Sequence, residues 1–181
     1  MRRKAIRAVF AFGLLLTILL GGCATPAPPA DRLAVLLDLI DQRLAISEDV
    51  ARSKWNSGAP VEDLARERDI VTAIGAQAAG YGLDPSFARN FFQAQIEASK
   101  VVQRARLAQW RAARQAPFTG VPDLQRDIRP QLDRLTTELL TALAQALPAL
   151  RAPGSEARLA AHAGDAARAA ALAPLRQTPP N

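Results

Sequence analysis

From Asp31 to Trp55 the chain runs 25 residues without a Pro or Gly, and its apolar residues recur at alternating steps of three and four. That period sets one stripe of side chains along one face of an α-helix of about seven turns. A helix of this length must cover its stripe with other elements. No later stretch alternates with the two-residue period of a half-buried strand, so the covering elements are helices as well.

Pro and Gly punctuate the rest. Asn56 to Ala59 breaks the first helix, and Pro60 followed by Glu62 and Asp63 has the form of a second helix start, running to about Gly80. In Tyr81-Gly82-Leu83-Asp84-Pro85, Asp84 is placed to cap and Pro85 to occupy the first position of a third helix that lasts to about Ala116. Pro117 to Pro122 is a loop. Asp123 opens a fourth helix reaching about Leu150, its first turns deformed by Pro130. An Ala-rich fifth helix is expected from Ser155 to about Leu172, and Pro174 to Asn181 is expected to be a flexible tail. The fold class that follows is all-α: a single-domain antiparallel bundle of about five helices, with its site enclosed between helices of one chain.

The N-terminus reads differently. Arg2, Arg3, Lys4 and Arg7 precede an apolar run from Ala8 to Leu20, the form of a secretory signal over residues 1–22. Leu20-Gly21-Gly22-Cys23 resembles the lipobox of bacterial lipoproteins, which makes Cys23 the lipidated residue and residues 23–30, ending in the Pro-rich TPAPPA, its tether. Ala24 rather than Asp after the Cys implies the outer membrane, hence a periplasmic protein that meets the membrane only through its anchor. The charge also belongs largely to this leader. Of 23 Lys and Arg against 17 Asp and Glu, four cations lie ahead of any acid, leaving 19 against 17, too even for a nucleic-acid-binding face. With one Cys in the chain there is neither an internal disulfide nor a multi-Cys zinc site.

Polar residues interrupt the helical stripes. The first helix reads Leu33, Leu36, Ile40, Arg43, Ser47, Val50, Lys54, and the third reads Phe92, Ile96, Ser99, Gln103, Arg106, Trp110. Arg43 and Lys54 return to within ~20° of one direction, roughly 16 Å apart along the axis. Cations in a core stripe require either internal carboxylates or an anionic ligand. One arrangement is an ion-pair network among Arg43, Asp63, Arg66 and Glu67, with Ser99 and Gln103 as satisfied core polars. The other is a donor-rich cavity for a small dianion, without nucleophile or metal cluster, that works by shape and electrostatics. His162 is expected on the surface, and Trp55 and Trp110 in the core.

Arg43, Lys54, Arg66, Ser99 and Gln103, with the stretches Val61 to Asp69, Val50 to Trp55 and Phe91 to Lys100, resemble the all-helical chorismate mutases. The leader and a further helical half, with Ile128-Arg129-Pro130 and Leu132-Asp133, make the chain similar to their secreted, periplasmic subclass. The resemblance implies conversion of chorismate to prephenate, a [3,3] rearrangement needing no cofactor and no metal. It implies that Arg43 and Arg66 clamp carboxylates, that Lys54 and Gln103 donate to the ether oxygen, and that Ser99 binds a substrate carboxylate. Glu67, with the backbone near Asp63, would take the substrate hydroxyl. An additional Arg completes the site in such enzymes, from a partner chain in dimers or from a later helix; here Arg129 and Arg134 are the candidates, while Glu138 occupies a competing register. Residues 31–116 then form the catalytic helical core and 117–173 the helices completing the bundle. A homodimer is left open. The alternative is a non-catalytic helical lipoprotein that binds a small anion or a protein partner.

Overall fold

The computed structural model describes residues 31–177; the expected leader, Cys23 and the tether lie outside the described residues, as do the last four of the chain. Among the described residues every regular element is helical: α1 (Arg32–Ser57), α2 (Leu64–Gln77), α3 (Pro85–Ala112), α4 (Arg129–Arg151), α5 (Ser155–His162) and α6 (Ala166–Leu172). Short 3-10 turns at Ala78–Tyr81 and Ala173–Arg176 follow α2 and α6, and a π turn at Leu124–Ile128 precedes α4.

The helix starts follow from local chemistry. Asp31 Oδ1 accepts from the N–H groups of Leu33 and Ala34 at 3.1 and 3.2 Å, and Asp84 Oδ1 accepts from the Phe87 N–H at 2.7 Å with Pro85 in the first turn. α2 begins later than Pro60 suggests. Its cap is Asp63, which accepts from the Arg66 N–H at 3.3 Å, while Glu67 Oε1 accepts from the Asp63 N–H at 3.1 Å. This reciprocal pair satisfies two otherwise orphaned donors, and Pro60 has no comparable acceptor to offer. Before α4, the deformation expected of Pro130 takes the form of the π turn, in which the Arg129 N–H reaches back to Leu124 O. The proline ring crowds the carbonyl four residues back, and the wider turn relieves that clash.

α1 and α3 lie side by side and parallel, with Ser47 against Ser99 and Trp55 against Trp110. The neighbours of this pair run antiparallel to them: α2 against α3 (Glu67 opposite Lys100), α4 against α1 (Gln145 opposite Arg32), and α6 against α3 (Ala171 opposite Gln95). The main core holds Leu33, Leu36 and Ile40 of α1, Phe91 and Phe92 of α3, and Leu139, Leu140 and Leu143 of α4. Each such side chain contributes about 1.5–3 kcal/mol on burial. Farther along α1 and α3 a smaller cluster joins Ala51, Leu107 and Trp110 to Trp55, Val61 and Phe118, which puts both tryptophans in apolar packing as expected. The polar stretch of the two stripes therefore lies between two apolar clusters.

The C-terminal region departs from the sequence reading in three ways. The expected fifth helix is two, α5 and α6, so the described chain has six α-helices. The break comes at Gly164 and Asp165, whose Oδ1 caps α6 by accepting from the Arg168 N–H at 2.9 Å. The bend lets Leu159 of α5 and Ala171 and Leu172 of α6 all reach the core, which one straight amphipathic helix would not. The tail also starts later than Pro174, since Leu175 in the last 3-10 turn is 2% exposed. His162 is not a plain surface residue: it is partly buried, with Nε2 3.1 Å from Asp41 Oδ2 of α1.

Candidate active site

Arg43 and Lys54 of α1, Asp63, Arg66 and Glu67 at the start of α2, and Ser99 and Gln103 of α3 line one cavity of about 110 Å³. Arg129, at the junction of the π turn and α4, lines it too, and Val50, Ile70, Ile96, Leu124 and Leu132 supply apolar wall. Arg134 does not reach the cavity; it lines a separate depression with Gln42, Ile46 and Glu138. Five residues separate it from Arg129, which is about 140° around the helix, so when one faces the cavity the other faces away.

The cations of the cavity divide into paired and unpaired. Arg66 Nη2 stands 3.2 Å from Asp133 Oδ1 and Arg129 Nη2 stands 3.2 Å from Asp63 Oδ2. Lys100 Nζ bridges Glu67 Oε2 at 2.9 Å and Glu97 Oε1 at 2.8 Å. Arg43 and Lys54 have no carboxylate within ion-pair distance among the described residues. Arg43 is 5% exposed, and its Nε and Nη1 find no hydrogen-bond partner. Burial pulls its pKa down to about 10, against a raising effect of Asp133 and with a further lowering by Arg66, so it stays charged at neutral pH. Lys54, 9% exposed, donates from Nζ to Val61 O at 2.5 Å. Burial holds its pKa below the usual lysine value, with Asp63, Glu62 and Glu67 pulling the other way. The internal network considered from sequence alone, with Arg43 as a member, is thus replaced by three other pairings that leave two buried positive charges over.

On the α3 side the donors form a chain. Ser47 and Ser99 hydroxyls are 2.8 Å apart, Gln103 Nε2 donates to Ser99 Oγ at 3.0 Å, and Gln103 Oε1 is buried without a partner. Lys100 is the residue that sequence reasoning did not single out. It closes the stretch Phe91 to Lys100 and lies one turn beyond Ile96 on the cavity side, but what it pairs with depends on how α2 lies across α3. Taken together, beside the paired Asp63 and Glu67 the cavity offers two cations without an ion-pair partner and neutral donors between apolar walls. Such an arrangement is chemically suited to a small dianion and to negative charge developing within it.

Residues 34–104 match the family model of chorismate mutase type II. The chain is 33% identical over 137 residues to the secreted chorismate mutase of Mycolicibacterium smegmatis, covering 74% of this chain and 75% of that one. Among solved structures, the chorismate mutase of Burkholderia thailandensis superposes with a TM-score of 0.73 at 40% identity, covering 80% of this chain and 98% of the other. The secreted chorismate mutase of Yersinia pestis superposes with a TM-score of 0.66 at 26% identity over 78% and 95% of the two chains. Fold and sequence agree, and the chain belongs to the all-helical chorismate mutase family.

Proposed function

We propose that this chorismate mutase converts chorismate to prephenate in the cavity between α1, α2, α3 and the start of α4, using only groups of its own chain. The rearrangement breaks the ether C–O bond and forms a C–C bond within one molecule, so no proton needs to be moved and no nucleophile is required. What remains for the protein is to hold the compact diaxial conformer and to stabilise charge on the ether oxygen. Arg43 and Arg66 take the two carboxylates, their planar forks matching planar anions. Lys54 donates to the ether oxygen from one side and Gln103 from the other. Ser99 supports a carboxylate, Glu67 with the backbone near Asp63 takes the substrate hydroxyl, and Arg129 adds the late-helix cation.

The observation that carries this reading is the pair of buried cations, Arg43 and Lys54, that no carboxylate among the described residues approaches to ion-pair distance. A dianion supplies the missing charge, and an apolar core would have no use for either residue. A non-catalytic lipoprotein is not favoured for a member of this family.

The enzyme acts outside the cytoplasm in this proposal. Residues 1–22 export it, and Cys23 receives a lipid that holds it at the outer membrane through the tether 24–30. The relatives from M. smegmatis and Y. pestis are themselves named as secreted.

The test is the disappearance of chorismate on incubation with the purified chain from Ala24 onward. Turnover is expected without added metal or nucleotide, and Lys54→Ala should lower kcat/KM by roughly a hundredfold or more, as when a preorganised donor to developing charge is removed. A folded Lys54→Ala protein with parental activity would overturn the assignment.

A further inference from the structure

Lys100 is the most deeply placed ion-paired cation of the cavity. It is 6% exposed and faces the site, yet none of the roles above uses it. Its Nζ holds Glu67 Oε2 at 2.9 Å, and the other oxygen of the same carboxylate accepts the Asp63 N–H at 3.1 Å. Glu67 is therefore gripped at both oxygens, by α3 through Lys100 and by the first turn of its own helix through the capping pair. Its second partner, Glu97, is 46% exposed and lies outside the cavity lining. Burial works against the charge on Lys100, but the hydrogen bonds to Glu97 and Glu67 and their negative charges outweigh it, and its pKa ends above the usual lysine value. The side chain is thus a fixed cation that joins α3 to the start of α2.

We infer that Lys100 is a positioning residue for the rearrangement, fixing the Glu67 carboxylate in the orientation from which it receives the substrate hydroxyl and, through the cap, setting the turn that carries Arg66. This inference rests on the role proposed for Glu67. Three properties separate Lys100 from a merely structural lysine. It touches the carboxylate that meets the substrate, it does so from a different helix, and its charge is almost wholly withdrawn from water, where a pair is far less screened than at the surface. Its contribution falls on binding rather than on the breaking bond, because the substrate hydroxyl is present equally in ground and transition states.

The experiment is steady-state kinetics on the chain from Ala24 onward with Lys100→Met, Lys100→Arg, Glu67→Gln, Glu97→Gln and the Glu67→Gln/Lys100→Met double variant, each normalised to folded protein by circular dichroism. Lys100→Met is expected to raise KM roughly tenfold or more with kcat within a few-fold of the parent, the scale of a misplaced binding group. Lys100→Arg should recover much of that loss, Glu97→Gln should keep the parental KM, and adding Lys100→Met to Glu67→Gln should cost little beyond Glu67→Gln alone. If Lys100→Met is too unstable to assay, Lys100→Gln carries the same comparison. A parental KM in a folded Lys100→Met or Lys100→Gln, or full additivity with Glu67→Gln, overturns the inference. Should Lys54→Ala and Arg43→Ala also be active, the reading of the whole cavity fails; if they are inactive while the Lys100 variants keep the parental KM, only the role of Lys100 does.

Discussion

Gln103 donates from Nε2 to the hydroxyl of Ser99, one turn back on α3, at 3.0 Å, and its own Oε1 is buried with no partner. To donate to the ether oxygen, Nε2 must exchange its Ser99 acceptor for the substrate, which leaves the single Ser99 hydroxyl proton for a carboxylate. A neutral amide donates at every pH, so kcat of the parent should be nearly flat from mildly acidic to mildly basic solution. Gln103→Glu should make activity fall as pH rises, because only the protonated carboxyl donates and the carboxylate repels the developing charge. Burial and the bound dianion push that carboxyl above the ordinary value of about 4.3, while Lys54 opposes them. Parallel pH profiles for parent and variant would remove Gln103 from the reaction.

Arg43 should trade stability for function. Its pKa is lowered to about 10 by burial, below that of the unfolded chain, so the folded state binds this proton less tightly. The resulting destabilisation is fully present at neutral pH and is relieved only as pH rises through the folded value toward the unfolded one. Arg43→Met, which fills the space without charge, should therefore raise Tm by a few degrees, on the order of 1 kcal/mol or more, while activity collapses. Thermal melts beside chorismate assays check both halves. A lowered Tm would mean that Arg43 is compensated in the free protein.

Arg129 and Arg134 are expected to differ sharply. Arg129 lines the cavity and balances Asp63, so Arg129→Ala removes a cation and leaves a carboxylate uncompensated beside an anionic substrate. KM should rise roughly tenfold or more, a loss of about 1.4 kcal/mol per decade. Arg134→Ala, on the far face of α4, should stay within about twofold of the parent, as surface substitutions do. The reverse ranking would place the late-helix cation at Arg134.

Cys23→Ser should abolish lipid attachment and release the protein from the membrane fraction, with kcat and KM unchanged. The lipid is the only anchor in this reading, and no helix among the described residues is long and apolar enough to cross a membrane. Membrane fractionation after confirmed leader cleavage decides it. Equal retention of parent and variant would refute the anchor.

The helical period was legible along the chain because it depends only on residues three and four apart, and it brought Arg43 with Lys54, and Ser99 with Gln103, onto single faces before any packing was known. Caps such as Asp31 and Asp84 were legible for the same reason: donor and acceptor lie within one turn. The tertiary structure decided whatever required two helices to meet. The sequence offered Asp63, Glu67 and Asp133 as acids near cations, but the way α2 and α4 lie against the α1–α3 pair gave Asp63 to Arg129, Asp133 to Arg66 and Glu67 to Lys100, leaving Arg43 and Lys54 unpaired. That Arg129 rather than Arg134 lines the cavity rests on the rotation of α4 after a π turn, and the partial burial of His162 rests on a bend at Gly164. Local hydrogen bonds and periodicity are written in short sequence separations, whereas partner choice among charges is set by crossing geometry between segments up to 127 residues apart, as for Asp41 and Arg168, and spacing does not encode it.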